Sequence, residues 1–471
     1  MARLRPPGAA LKAATLVAAL VLMCVSGGML WLVGYNYDGL TGSPVTKLHP
    51  FTYFIFIALV WRAAESGAPL VWLEAKLTQR PAAWGLLTLS AFMVVTTVLR
   101  AGPGMAGFID TLAAPAAFAL LLDDFASNDF ASNDFASEGF ASNDLAPLTL
   151  ALHASMAANA LLGLFEFATS TLYFPYRLDG VAHLEDTRST SLQGHPLMNA
   201  ALTGIYVVSL MAGARTLPGV VRWSLLGLQF TALMVFGGRT AIVVCLGAAP
   251  LFAIHAAFAT LRRGRLSLLG AAAAAAAIPL VVVAVVGLLA SGLADRLLMR
   301  FADDSGSAAT RVIMFEMLRP FSWGELAIGP DIEYVETLRR HFGLEQGVEN
   351  PFVRMILYQG GIAMAAVFLG LAWFFRELLR GRGLRVIGPV VAMAVLLNAS
   401  ESVAVKTNFL DKLVLIFVCL LPPLAQRKPS AATISGANAR VRSSIRPMLS
   451  NRHQNAHGKP NASALSRTSR I

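Results

Sequence analysis

Charged residues are scarce in this sequence of 471 residues. Asp, Glu, Lys and Arg make up 14% of the chain, whereas an ordinary soluble domain contains about 25%. Hydrophobic residues make up 56%. One apolar stretch after another reaches the ~20 residues that a helix needs to cross the hydrocarbon core of a membrane. A soluble fold is excluded, because such a chain needs lipid to cover its surface.

Cysteine is also rare. Cys24, Cys245 and Cys419 each lie inside an apolar segment, and none has a partner at the spacing of a disulfide framework or a metal site. The sequence contains no phosphate-binding loop, no HExxH or GxSxG motif and no cluster of Cys and His. ATP-driven transport and metal-dependent hydrolysis therefore lack support, and we expect neither a cofactor nor a metal.

Negative charge is the scarcer sign, with 27 acidic residues against 38 Lys and Arg. A basic balance is also typical of proteins that bind nucleic acid, but here the basic residues lie in short gaps between apolar segments and in the C-terminal tail. Such residues set the orientation of a membrane protein, because cytoplasmic loops carry excess Lys and Arg. We therefore expect no nucleic acid among the partners.

The apolar segments predict an all-α, polytopic transmembrane helix bundle of about twelve spans. The spans are 12–34, 50–64, 82–99, 104–122, 147–167, 196–213, 218–236, 240–260, 266–290, 351–375, 386–400 and 409–424. If the N-terminus is cytoplasmic, the basic clusters within 62–80, 215–222, 262–265 and 376–385 all fall in cytoplasmic gaps. This pattern predicts a multi-pass protein of the bacterial inner membrane with both termini in the cytoplasm.

Four stretches outside the spans differ in composition. Residues 123–146 repeat a five-residue unit close to FASND, which fits neither helix nor strand period and predicts a low-complexity cytoplasmic loop. Residues 168–195 form an outer loop, and 291–350 predict a large periplasmic loop carrying short helices. Residues 425–471 predict a basic, disordered cytoplasmic tail. The transmembrane helices between these stretches form three groups, 1–122, 147–290 and 351–424.

Three arginines lie on the predicted outer side. Arg239, in FGGRTAIVV, lies at the junction of two spans, where a guanidinium is unfavourable unless it faces a cavity or an anion. Arg188 lies close to His195 at the mouth of the sixth span, and Arg311 lies at the start of a predicted helix along the membrane. A single interface arginine can extend its charge to the membrane surface, but three on one face favour a functional site.

The arginine segments occur in order with other motifs. GHPLMNA is followed by GGRTA, then by an outer loop with SAATRVIMFEMLRPFSWGELAIGP, and then by VENPFVRMILYQGGI. This order resembles that of the O-antigen ligase and polysaccharide polymerase family over roughly 147–400. The loop of that family has an Arg, a short amphipathic helix, a Gly-rich turn, an Asn after a polar residue, an apolar run and Gly. The corresponding positions here are Arg311, Gly329, Asn350, Gly360 and Gly361.

The resemblance implies a metal-independent glycosyltransferase whose donor is an oligosaccharide on polyprenyl pyrophosphate. The implied partners are this lipid-linked oligosaccharide, the growing polysaccharide and membrane lipids, with contact to a flippase and a chain-length regulator. Planar guanidinium groups bind pyrophosphate in bidentate fashion better than lysine does. We therefore expect Arg188, Arg239 and Arg311 to bind the pyrophosphate and to stabilise the charge that builds on it.

The acceptor hydroxyl must lose a proton, and the candidate bases are Glu349, His341 and His195, in that order. Asn350 is expected to position the acceptor or the loop. His195 and Glu349 each precede a span, so both can instead cap a helix. Ligases of the family often have a His where this chain has Glu349. This difference favours polymerisation of repeat units into O-antigen or exopolysaccharide over ligase-type transfer to a lipid acceptor, and a secondary transporter or flippase for an anionic glycolipid is the remaining alternative.

Overall fold

The chain is α-helical almost throughout the part that its computed structural model describes. That part comprises residues 5–39, 43–100, 104–131, 145–178, 181–182, 188–213, 217–262, 286, 307–344, 347–348, 350–398, 403, 406–421 and 423. Six described helices are long and apolar enough to cross a membrane, and a bent pair, Pro50–Glu65 and Pro69–Gln79, adds a seventh span if it is counted as one. The protein is therefore an all-α membrane protein.

The N-terminal half begins with a broken helix. Helices α1 (Ala9–Cys24) and α2 (Gly27–Leu32) together cover the predicted span 12–34. They are followed by α3 (Pro50–Glu65), α4 (Pro69–Gln79) and α5 (Pro81–Leu99). The next span consists of α6 (Met105–Phe108), a π-helical turn (Ile109–Ala113) and α7 (Ala114–Ala131). The structure differs from the sequence prediction at α4, which lies in a predicted gap, and at α7, which continues into the repeat.

The second half contains α8 (Ala146–Thr169), a short hairpin of β1 (Arg177–Leu178) and β2 (Val181–Ala182), α9 (Pro196–Met211), α10 (Gly219–Phe236) and α11 (Arg239–Arg262). A loop subdomain, residues 307–359, contains α12 (Ser307–Glu316), α13 (Trp323–Ile328), α14 (Ile332–His341) and α15 (Pro351–Gln359). Helices α16 (Gly361–Leu378), α17 (Ile387–Asn398) and α18 (Phe409–Leu420) complete the bundle. Of the predicted span 266–290, only residue 286 lies among the described residues.

The predicted span 351–375 is broken between α15 and α16. Gly360 lies at the break with a φ of +93°, a left-handed conformation that glycine adopts without strain. A Cβ atom on Gly360 would also lie only 2.5 Å from the carbonyl carbon of Ile328. Glycine therefore allows both the turn and the close approach of the loop subdomain to the bundle.

Helices α9 and α18 lie at the centre of the bundle. Every residue of α18 is buried, and α18 packs against α1, α7, α8 and α9. A helix that is buried on every side needs other helices around it, and in α18 this burial includes the side chains of Asp411 and Lys412. The outer helices α5, α10 and α16 are mostly exposed in the absence of lipid, so their outward faces fit a lipid environment.

Contacts at the helix ends show that neighbouring helices run in opposite directions. The Gly8 amide donates to Glu65 Oε1 at 3.2 Å, so α1 begins where α3 ends. His49 Nε2 lies 3.1 Å from the Val25 carbonyl oxygen, so α3 begins where α1 ends. We call the side of the bundle that contains the end of α3 the Asp124 end, and the opposite side, where α11 begins, the Arg239 end.

Buried ion pairs close the Asp124 end. Arg62 Nε donates to Asp124 Oδ2 at 2.5 Å, and Trp72 Nε1 donates to the same oxygen at 2.8 Å. Lys76 Nζ lies 2.6 Å from both Asp123 Oδ2 and Asp124 Oδ1. Basic residues interpreted from the sequence as orientation signals are thus also buried structural partners. They hold α4 against α7, which explains why α7 continues past the predicted end of its span.

We expect Asp124→Asn to destabilise the protein, because the buried Arg62 side chain would lose its anionic partner. Breaking one side of a buried ion pair costs about 3–5 kcal/mol. The control Glu74→Gln changes an exposed residue of α4 and should shift stability by less than about 0.5 kcal/mol. Unfolding midpoints of the purified variants in detergent measure both effects, and equal midpoints for the two variants would contradict a structural role of the cluster.

Candidate functional site

A buried carboxylate organises the segment that precedes α9. Glu166, near the end of α8, is only 1% exposed. Its Oε2 accepts hydrogen bonds from the amides of Thr190 and Ser191, both at 2.8 Å, and its Oε1 accepts one from the Tyr173 amide at 3.0 Å. A carboxylate inside a membrane helix is unfavourable without such partners. Glu166 therefore fixes the backbone between Arg188 and His195.

Two asparagines fix the same segment from neighbouring helices. Asn159 Nδ2 on α8 donates to Asn199 Oδ1 on α9 at 2.8 Å, and Asn159 Oδ1 accepts from the Leu192 amide at 3.1 Å. Asn199 Nδ2 in turn donates to the Thr190 carbonyl oxygen. Both asparagines are buried, so their hydrogen bonds are made within the protein. The segment is therefore held by side chains on both of its flanking helices.

Two of the three predicted arginines lie close to the start of α9. Arg188 precedes Ser189, whose amide donates to the Val235 carbonyl oxygen near the end of α10 at 3.4 Å. Arg239 follows Gly238, which packs so tightly on α9 that a Cβ there would lie 2.3 Å from Ala200 Cβ. The fold thus brings two arginine-bearing segments that are 51 residues apart in sequence onto one helix start.

His195 lies at the same place. It is the residue before α9, its side chain makes no capping hydrogen bond to the helix, and its ring lies edge-on to the Tyr176 ring with centroids 5.7 Å apart. Arg188, His195 and Arg239 are all partly buried. We call these three residues the arginine site.

The helix starts add to the positive potential of the arginine site. Helices α9 and α11 both begin here, and the N-terminus of a helix carries a partial positive charge. Backbone N–H groups at a helix start also bind phosphate and other anions. Two arginine-bearing segments and two helix N-termini therefore lie together here, which is an arrangement suited to an anion. Among the described residues, no group of three His, Cys, Asp or Glu residues could hold a metal ion.

The other predicted site residues belong to the loop subdomain. Arg311 lies in α12, but its side chain is outside the described residues, as is the whole of Glu349. His341 is exposed at the end of α14, where its ring contacts Phe342. Asn350 caps α15, since its Oδ1 accepts from the Phe352 and Val353 amides at 3.0 and 3.1 Å. The described contacts of these residues lie within the subdomain and do not join them to the arginine site.

The loop subdomain has its own small core and internal polar contacts. Its buried side chains are Met314, Met317, Phe321, Val335, Leu344, Val348, Val353 and Leu357. Glu336 on α14 accepts a hydrogen bond from the Tyr358 hydroxyl on α15 at 2.5 Å and from Arg339 Nε at 2.9 Å. Burial opposes the charge of Glu336, but these two donors hold its pKa below the usual value. Helices α14 and α15 are thereby held together.

A second polar cluster lies inside the bundle at the Arg239 end. Asp110, in the π-helical turn, accepts hydrogen bonds from the Tyr37 hydroxyl at 2.9 Å, from Thr52 Oγ1 at 2.7 Å and from the His49 amide at 3.1 Å. A π-helical turn shifts the register of a helix locally and is frequent at functional sites. Here it directs a carboxylate toward the start of α3.

Lysines and a glutamine connect this cluster to the arginine site. Lys412, fully buried in α18, donates to Gln193 Oε1, and Gln193 Nε2 donates to the Met23 carbonyl oxygen at 2.9 Å near the end of α1. Lys406 lies over the Tyr37 ring at 4.1 Å. Burial lowers the pKa of Lys406, and burial raises the pKa of the nearby Asp38 to about 6. Gln193 belongs to the segment that carries Arg188 and His195, so this segment contacts the end of α1, where the Val25 carbonyl oxygen lies beside His49.

These buried groups belong to none of the sequence motifs. Glu166, Asp110 and Lys412 each lie inside a predicted span, where ionisable residues are rare and mark functional or structural sites. Their position in the spans was a signal that could have identified them. Their partners could not be identified in the same way, because those partners come from segments far away in sequence.

The fold and the arginine site together define an all-α membrane protein with a candidate anion site. No protein-family model matches the chain, and neither the curated proteins nor the solved structures contain a match. Its function must therefore be inferred from the site itself.

We expect Glu166→Gln to loosen the segment between Arg188 and His195. The amide group would place a donor against the Thr190 and Ser191 amides, and an unsatisfied buried donor costs about 1–3 kcal/mol. Hydrogen–deuterium exchange of the purified protein should be faster in peptides from 188–195 and unchanged in peptides from α18. Glu333→Gln, at an exposed position of α14, is the control. Unchanged exchange in 188–195 would show that Glu166 does not hold the segment.

Proposed function

We propose that the protein polymerises lipid-linked oligosaccharide repeat units into a surface polysaccharide on the periplasmic face of the bacterial inner membrane. The observation that carries the proposal is the arginine site, in which Arg188 and Arg239 lie beside the starts of α9 and α11. Such a site suits a pyrophosphate, the group that leaves when a sugar is transferred from polyprenyl pyrophosphate. The motif order in the sequence supports the same reaction.

The proposed chemistry is a displacement at the anomeric carbon of the donor sugar. The acceptor hydroxyl oxygen forms a bond to that carbon, and the bond between the carbon and the pyrophosphate oxygen breaks. The electron pair of the broken bond stays on the pyrophosphate, where two guanidinium groups stabilise the new charge. A base removes the acceptor proton. The sequence ranks Glu349 first as the base, then His341 and His195; of the two that the structure describes, we propose His195, because its ring lies beside Tyr176 near Arg188.

Ligase-type transfer to a lipid acceptor uses the same donor chemistry. Glu349 stands where ligases of the resembling family often have His, which favours polymerisation. The sequence motif assigns Arg311 of the loop subdomain to the same pyrophosphate, and Asn350 positions the loop by capping α15. The loop is joined to the bundle through Arg100, whose Nη2 donates to the Pro330 carbonyl oxygen at 2.7 Å.

A specific observation favours a second candidate, a transporter or flippase for an anionic glycolipid. Asp110, Asp411 and Lys412 are fully or almost fully buried at the Arg239 end, and α1 is broken from α2 beside them. Broken helices and buried ionisable residues are frequent in secondary transporters. We rank this candidate second, because Arg188, His195 and Arg239 are only partly buried, whereas Asp110, Asp411 and Lys412 are buried inside the bundle.

The proposal includes twelve spans, a periplasmic loop subdomain and cytoplasmic termini. Arg62, Lys76 and Arg80 all lie at the Asp124 end of the bundle. Because basic residues are enriched on the cytoplasmic side of membrane proteins, we assign this end to the cytoplasm. Reporter fusions test this orientation: a fusion at Gly343 should behave as periplasmic, and a fusion at Arg382 as cytoplasmic. A cytoplasmic signal at Gly343 would place the arginine site on the wrong face for a donor that has already crossed the membrane.

Arginine-to-lysine variants test the reaction. Arg188→Lys and Arg239→Lys keep the charge but remove the planar fork, so we expect polymer yield to fall about tenfold or more. Arg222→Lys is the control, since Arg222 lies near the start of α10 at the Asp124 end, with its guanidinium over Trp223 at 5.9 Å. Polymer length and accumulated single repeats on the lipid carrier are measured in cells at equal protein level.

The place where the donor accumulates separates the candidate functions. A failed polymerase should leave unpolymerised donor on the periplasmic face, while a failed flippase should leave it on the cytoplasmic face. Normal polymer in both arginine variants would refute the pyrophosphate site. Unpolymerised repeats transferred singly to a lipid acceptor in the parent strain would favour the ligase alternative.

A further inference from the structure

Three exposed apolar side chains meet where the loop subdomain joins the bundle. Leu99, at the end of α5, is 80% exposed; Ile328, at the end of α13, is 74% exposed; Ile362, near the start of α16, is 69% exposed. Isolated apolar residues on a surface need no explanation, but a contiguous apolar patch usually marks an interaction surface.

Two contacts of the Ile328 backbone bring these three residues into one region. Arg100 Nη1, one residue after Leu99, donates to the Ile328 carbonyl oxygen at 3.2 Å. A Cβ on Gly360, two residues before Ile362, would lie 2.5 Å from the Ile328 carbonyl carbon. Ile328 therefore lies between the end of one apolar helix and the start of another.

The neighbouring helices identify what covers the patch. Helices α5 and α16 are both long and apolar enough to cross a membrane, and only 33% and 28% of their apolar windows are buried within the protein. Their outward faces must contact lipid, because no other element covers those faces among the described residues. The patch lies where α5 ends and α16 begins, and it extends the lipid-facing surface of these two helices to α13.

A large exposed aromatic side chain, Trp323, lies at the start of α13, the helix that ends at Ile328. It is 88% exposed, and the helix that it begins is held by a capping box between Ser322 and Glu325. Tryptophan is enriched at the headgroup level of membranes, where its ring is partly buried while its N–H remains hydrated. Helix α13 lies beside the end of α5 and the start of α16. An exposed Trp on this helix is therefore placed where such an anchor would lie.

We infer that α13 docks into the headgroup region of the bilayer leaflet at the Arg239 end, with Trp323 as its interfacial anchor and Ile328 against the lipid chains. The loop subdomain is then a membrane-attached structure rather than a loop standing in water. This inference holds whatever reaction the protein performs.

Site-directed fluorescence tests the docking. Trp323→Cys and Glu333→Cys are each labelled with an environment-sensitive dye in full-length protein, in vesicles of phosphatidylcholine and phosphatidylglycerol, with dye-treated wild type as the blank. Glu333 is an exposed residue of the same subdomain, on α14. The label at 323 should emit at shorter wavelength, be quenched by lipids with a nitroxide near the headgroup, and show several-fold weaker quenching by iodide than the label at 333.

Two outcomes would overturn the inference. Equal iodide quenching at both positions would show that α13 stands in water. Protection from iodide at 323 without nitroxide quenching would show that protein, such as a second copy of this chain, covers the patch. Ile328→Cys provides an independent position if labelling at 323 disturbs α13, and it should be quenched by a nitroxide placed deeper in the lipid chains.

Discussion

A polar group inside a membrane must find its hydrogen-bond partners within the protein, and the structure at the Arg239 end follows from this constraint. The Glu166 carboxylate accepts hydrogen bonds from three backbone amides, and two of them, those of Thr190 and Ser191, belong to the segment that carries Arg188 and His195. The same hydrogen bonds therefore satisfy a buried charge and order a segment without regular structure. The candidate site is thus held in place by hydrogen bonds although it lies on a loop.

Helix breaks allow polar groups to converge at this end. The break between α1 and α2 leaves the Val25 carbonyl oxygen available to His49, and the π-helical turn directs Asp110 to the same helix start. A straight apolar helix offers no backbone partners, because its carbonyl oxygens are used within the helix. The breaks are thus the places where buried charge can be accommodated, and they lie beside the central helices.

The two ends of the bundle differ in their electrostatics. At the Asp124 end, basic side chains are neutralised by Asp123 and Asp124 within 2.6 Å, so this end is closed by its own ion pairs. At the Arg239 end, the segments that carry Arg188 and Arg239 adjoin the N-termini of α9 and α11, whose partial positive charge favours an anion. This asymmetry fits a protein that binds an anionic group at one membrane face, while buried ion pairs hold its helices together at the other face.

The sequence by itself determined the membrane class and most helix positions, because long apolar runs leave few alternatives in lipid. It also indicated Arg188, His195 and Arg239 individually. Only the tertiary structure decided that they adjoin one helix start, since Ser189 meets Val235 and Gly238 meets Ala200 through folding. The role of Glu166 as a backbone acceptor was likewise beyond prediction. Local sequence patterns predict which residues are buried. The hydrogen-bond partners of those residues depend on contacts between segments that are distant in sequence.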